Sequence, residues 1–172
     1  MKENLYTPFS IRTFTGKYVN VLEPTEDMIN ISDIAHSLSQ QCRFNGHLKE
    51  FYSVAQHSIY CYNLVKIEHR LAALLHDSSE AYLCDIPKPI KKSLLNYHEI
   101  EDKLMKVIAN KFGFEYPLHE DVKRADEIAL VNEWHCLMLQ DTDAPFIKSN
   151  ETIKDVKDKF LEFYHNCKKN KN

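Results

Sequence analysis

Glycine is scarce in this chain: three residues among 172, against six prolines and nine each of tyrosine and phenylalanine. Chains built from many short strands draw on glycine at their turns, so the shortage argues against a turn-rich all-β fold and suits helices. Five cysteines make an odd number with no CxxC pair. Cys42, Cys61 and Cys136 fall in helix-like runs, and buried free thiols in a reducing cytosol are the simplest reading. Positive charge is also in short supply. A formal net charge of -3 gives no attraction to a nucleic-acid backbone, so no polymeric nucleic acid is expected as partner. The basic run Lys168-Lys169-Asn170-Lys171 reads as a solvated end. No apolar run reaches membrane-spanning length, and Met1-Lys2-Glu3-Asn4 does not open a signal peptide. The expectation is a cytoplasmic protein with no membrane partner.

What is present is ordinary for one globular domain over residues 1–172: 44% apolar and 27% charged residues, on a chain long enough to bury one core. Within residues 1–30, Ile11-Arg12-Thr13-Phe14 and Lys17-Tyr18-Val19-Asn20-Val21 flank Thr15-Gly16 and predict a small β-hairpin. Helix signals then follow one another. Ser32 or Asp33 is placed to cap a first helix carrying Ile34, Ala35, Leu38 and Cys42. Ser53 caps a second, with Val54, Ser58, Cys61, Leu64 and Val65 inward. A third runs from about Glu68 to Leu83, until Pro87 and Pro89 break the pattern. A fourth covers Tyr97 to Lys111 and ends at Phe112-Gly113, and a fifth spans Glu120 to Leu139. Residues 31–139 thus form the core. A C-terminal helix over 151–167 presents Ile153, Val156, Phe160, Leu161 and Phe163. It reads as core cover or, alternatively, as the dimer face of a homo-oligomer. The fold class is all-α, a compact helical bundle with an N-terminal hairpin.

The most informative stretch is Leu74-Leu75-His76-Asp77-Ser78-Ser79-Glu80, followed by Asp85-Ile86-Pro87-Lys88-Pro89-Ile90-Lys91. His76 and Asp77 adjoin at the end of an apolar run, and Glu80 lies one turn further on the same helix face. Charge beside a buried surface is costly unless paired, and a divalent metal and a phosphate are suitable partners. His76 and Asp77 can take neighbouring positions on one metal but cannot complete its shell. His57, among small residues, and Asp126, interrupting an apolar stripe, are candidates from other helices; each alone is more often a packing or solvated residue. The run H-D-x-x-E is not the H-E-x-x-H of zinc peptidases.

The order His57, His76-Asp77, Asp126, together with Glu80 and Asp-Ile-Pro-Lys-Pro, resembles the HD-domain metal-dependent phosphohydrolase superfamily over roughly Ile31 to Leu139. The proline loop is similar to that of the bacterial 5'-deoxynucleotidase branch. The Ser-Val-Ala-Gln-His-Ser and Leu-His-Asp-Ser-Ser-Glu-Ala-Tyr segments are similar to short phage-type enzymes that cleave deoxynucleoside triphosphates. The resemblance implies one divalent transition metal per chain (Mn, Co, Fe, Ni or Zn) on His57, His76, Asp77 and Asp126, with Glu80 and Asp85 as catalytic acids. It implies substrate contacts from Arg43, Lys91 and, as second choice, Lys88. Phe44 stands where that branch carries tryptophan after the arginine. Glu133 and Trp134 are expected in the core or behind the ligands. The implied activity is hydrolysis of a small-molecule nucleotide, either as a 5'-nucleotidase on a monophosphate or as a triphosphohydrolase. A cyclic-dinucleotide or guanosine-tetraphosphate hydrolase and a non-catalytic binding module are the alternatives.

Overall fold

The computed structural model describes residues 8–141, 143, 146 and 150–169; residues 1–4 and 170–171, read above as the opening and part of the basic end, lie outside these. Strands β1 (Ser10–Arg12) and β2 (Tyr18–Asn20) pair antiparallel with Ile11 opposite Val19. The turn between them closes at Gly16, whose φ of +84° suits glycine. Val19 is fully buried between the half-buried Tyr18 and Asn20, which alternate to the other face, whereas its cross-strand partner Ile11 is exposed. Asp33 holds this hairpin to the helices: its carboxylate accepts from the Thr15 amide at 2.7 Å and the Thr15 hydroxyl at 2.8 Å.

The remaining described elements are helical. Helix α1 (Ile31–Gln40) is capped by Asn30, which accepts from the Ser32 amide. The expected caps Ser32 and Asp33 lie inside the helix, because Asn30 already has the extended backbone a cap needs and Asp33 is occupied by Thr15. Helix α2 (Val54–Leu64) begins with the expected Ser53, reinforced by a reciprocal capping box with Gln56. The long third helix does not form. A 3-10 turn at Ile67–His69 leads into α3 (Arg70–Leu75), the chain turns through 76–79, and α4 (Glu80–Leu83) is a single turn. Across the break the amides of Ser78 and Glu80 donate to the carbonyls of Leu75 and Asp77, three residues back instead of four. The His76 ring takes the Ala73 carbonyl.

The proline segment contributes another single turn, α5 (Lys88–Lys91). Helix α6 (Tyr97–Phe112) stops where the sequence predicts, at Gly113 with φ +72°. Helix α7 (Glu120–Glu133) loosens into a π-helical turn over Trp134–Met138, and α8 (Ile153–Lys169) runs two residues past its expected end. Helix α2 is the centre of the bundle, packed against α1, α3, α7 and α8. Ile34, Leu38, Val54, Leu74, Leu75, Leu104, Ile108 and Phe160 are fully buried around it, each worth roughly 1.5–3 kcal/mol of removed apolar surface. The C-terminal helix is core cover: Phe163 meets Tyr62 with ring centroids 4.5 Å apart, and Tyr164 meets Phe112 edge-on. Leu64 and Ile153, expected inward, are exposed because each sits on a terminal turn beyond its neighbours. Cys42, expected in a buried helical run, is exposed in the extended segment after α1. No described helix is long and apolar enough to cross a membrane.

Candidate metal centre

Three separate parts of the chain converge behind α2. The Ser53 cap fixes the start of α2 and so the height of His57, which is fully buried. The break after α3 releases His76 and Asp77 from strict helical spacing, and α7 brings Asp126 from the other side. His57 Nε2 lies 3.0 Å from Asp126 Oδ1 and 3.6 Å from Asp77 Oδ2. His76 Nε2 lies 3.1 Å from Asp77 Oδ2 and 3.7 Å from Asp126 Oδ1. Donors about 2.1 Å from a shared ion stand about 3.0 Å apart when cis in an octahedron and about 3.4 Å apart in a tetrahedron. Each of the two imidazoles thus lies within 3.7 Å of both carboxylates, and the structure holds a buried group of His57, Cys61, His76 and Asp126 able to bind a metal ion, a set with Cys61 in the place expected of Asp77.

Hydrogen bonding behind the cluster decides which nitrogen faces it. His57 donates Nδ1–H to Glu133 Oε1 at 2.7 Å. His76 donates Nδ1–H to the Ala73 carbonyl at 2.8 Å. In both rings Nε2 is left pointing inward, the orientation that metal-binding histidines acquire from such partners. His76 Nε2 is buried with no hydrogen-bond partner among the described residues, an orphaned donor position that an ion satisfies. Burial pushes both imidazoles down, and Arg43 pushes His57 down further, yet Cys61 and the surrounding acids hold both well above the usual histidine value. Burial likewise pushes Asp77 and Asp126 up, and the two rings override it to hold both carboxyls far below the usual range. A divalent cation bound at Nε2 would displace any proton held there.

Glu133 is a hub that the sequence shows only as a core acid. It is fully buried and accepts from Tyr52 Oη at 2.9 Å, from Arg43 at 3.3 Å and from His57. Arg43 also lies 3.8 Å from Asp77. Its guanidinium is accordingly turned inward, tying the carboxylate behind His57 to a candidate ligand. Phe44, in the left-handed region at φ +52°, sits with its ring 5.7 Å from that guanidinium and 6.0 Å from Trp134. Trp134 itself is 44% exposed, outside the core where the sequence placed it.

Glu80 is buried beside the cluster, and Lys91 donates to its Oε1 at 3.0 Å and to Glu101 at 2.8 Å. Burial first, then the charges of Asp77 and Asp85, push the Glu80 carboxyl up to about 8, against the pull of Lys91. Asp85 is raised as well, by burial, with Arg43 opposing. Gln41, which the sequence does not mark, clamps this segment at both ends. Its Nε2 donates to the Glu80 carbonyl at 2.9 Å and its Oε1 accepts from the Asp85 amide at 3.1 Å. Lys88 is exposed on α5. A cleft of about 660 Å³ opens from His76, Asp77 and Asp126 past Ser79 and Lys91 to the acids of α6 and Tyr116.

A second histidine group, His69 and His119 with Asp121, is also brought together. Its two rings stack 4.2 Å apart at 17°, so their in-plane lone pairs run side by side instead of meeting at a common point.

No family model matches the chain. Over 131 residues it is 47% identical to the uncharacterized protein YfdR of Escherichia coli strain K12, covering 76% of this chain and 74% of that protein. The chain belongs to the YfdR family. It is also 36% identical over 128 residues to an uncharacterized protein of Rhodobacter capsulatus, covering 69% of this chain and 65% of that relative.

Proposed function

We propose that this chain is an HD-type, divalent-metal-dependent phosphohydrolase acting on (deoxy)nucleotides. The observation that carries the reading is the pair of imidazoles whose Nδ1–H groups are both committed, leaving two Nε2 atoms facing two carboxylates in a buried cluster with Glu80 one turn beyond. A nitrogen–oxygen donor set of this kind suits a transition-metal ion. Bound by His57, His76, Asp77 and Asp126, such an ion supplies Lewis acidity toward phosphoryl oxygen and makes water easier to deprotonate.

The rest of the chemistry belongs to the chain. Glu80, fixed by Lys91, is ionised above about pH 8 and in that form accepts the proton of the attacking water. The water oxygen bonds to phosphorus as the bond to the leaving oxygen breaks. Asp85, its carboxyl raised by burial, returns a proton to that oxygen, giving the nucleoside alcohol and orthophosphate. Gln41 keeps the two acids at a fixed separation.

The cleft favours the monophosphate branch over the triphosphate branch. Among its lining residues Lys91 is the single Lys or Arg, opposed by Glu99, Glu101 and Asp102, and Arg43 is spent on Glu133 and Asp77. A triphosphate needs more compensation than one shared lysine.

Purified protein loaded with Mn²⁺ or Co²⁺ and offered dNMP and dNTP panels should release orthophosphate from the monophosphates. Tripolyphosphate from a dNTP sinks the monophosphate reading, and absence of turnover with every metal sinks the enzyme reading. Glu80→Gln should lower turnover by about 10²–10⁴-fold without loss of bound metal.

A further inference from the structure

Cys61 is the member of the buried cluster that the phosphohydrolase reading leaves without a task. It follows His57 by one turn of α2, is fully buried, and places Sγ 3.6 Å from His57 Nε2. Donor atoms of His57, Cys61, His76 and Asp126 all lie within 4.8 Å of one another, and Asp77 stands outside that set. Three donors are therefore common to two alternative shells. One is completed by the Asp77 carboxylate, the other by the Cys61 sulfur.

The sulfur–nitrogen spacing is compatible with a tetrahedral ion. A thiolate and an imidazole on one tetrahedral ion, at about 2.3 and about 2.05 Å, lie about 3.6 Å apart, against about 3.1 Å for an octahedral cis pair. The observed sulfur–nitrogen separation matches the tetrahedral edge. Cys61 also belongs to a buried apolar cluster with Val65, Ala72, Ala73, Val122, Ala125 and Ala129. Those apolar neighbours keep water off the sulfur and leave the metal-binding group as its polar outlet.

We propose that Cys61 is a thiolate ligand, so that the centre holds a thiophilic, four-coordinate ion of the Zn²⁺ or Co²⁺ class in preference to Mn²⁺ or Mg²⁺. On binding, the metal–sulfur bond forms and the thiol proton passes to solvent. The proposal rests on the metal-centre reading above and puts Cys61 in the place that reading gave to Asp77.

Cobalt(II) titration of the metal-free, full-length protein tests it by absorption spectroscopy. The wild type should show a near-ultraviolet sulfur-to-cobalt charge-transfer band together with strong tetrahedral visible bands. Cys61→Ser should lose the near-ultraviolet band and bind Zn²⁺ about tenfold or more weakly, with Mn²⁺ affinity changed less. Cys61→Ala, which keeps the apolar packing, should behave likewise, and circular dichroism melts report whether either variant folds. Cobalt bound to the wild type without the near-ultraviolet band, or a band retained in both variants, removes Cys61 from the shell and leaves the metal centre standing. No cobalt bound to the wild type at equilibrium dialysis removes the metal centre and the role of Cys61 together.

Discussion

Glu133 illustrates how much one buried side chain can organise. It accepts hydrogen bonds from a tyrosine, an arginine and a histidine, and its carboxyl stays below the usual glutamate range because His57 and Arg43 outweigh the effect of burial. Removing it has two separable consequences. Glu133→Gln keeps the shape but weakens the hold on the His57 tautomer, so ion affinity should fall by about 10–100-fold, measured by competition with a chromophoric chelator. Both variants remove the negative charge facing Arg43, and Glu133→Ala also removes the acceptor for Arg43 and Tyr52, so its urea unfolding should show the larger loss, about 3 kcal/mol. If both variants bind ions like the wild type, Glu133 is packing and nothing more.

At the scale of elements, the informative feature is the failure of the third helix to continue. Leu71 to Leu75 and Glu80 to Leu83 each look helical, and Ser78-Ser79 is no strong breaker, so the local pattern reads straight through. Tertiary contacts decide otherwise: the His76 ring binds Ala73 and the turn tightens. The helices with strong end signals were legible, α2 from Ser53 and Gln56 and α6 from Gly113. The four expected ligands were legible as residue types in a known order. The partners that orient them were not, because Tyr52 and Glu133 lie 81 positions apart and Gln41 reaches Asp85 across 44; no local pattern carries such pairings. Gln41 offers the matching test. Gln41→Ala should leave ion affinity and thermal stability close to wild type while turnover of the monophosphate drops, since only the loop between the two acids is released. Unchanged kcat would show that the loop is held without it.

At the scale of the whole molecule, α7 differs from the other helices in how it is secured. It packs chiefly on α2 and α3, whereas α8 packs chiefly on α1, α2 and α3, and several of its apolar side chains, including Ile128 and Val131, face outward. Its polar links to the centre are Glu133, at its C-terminal end, and Asp126. An ion shared by Asp126 and the two histidines would add a further tether between α7 and the segments that carry those rings. Hydrogen–deuterium exchange should register this unevenly: adding the ion should slow amide exchange through α7 far more than through α1 or α8, and Asp126→Ala should erase the difference. The bound cation would then be a determinant of which part of the fold opens first.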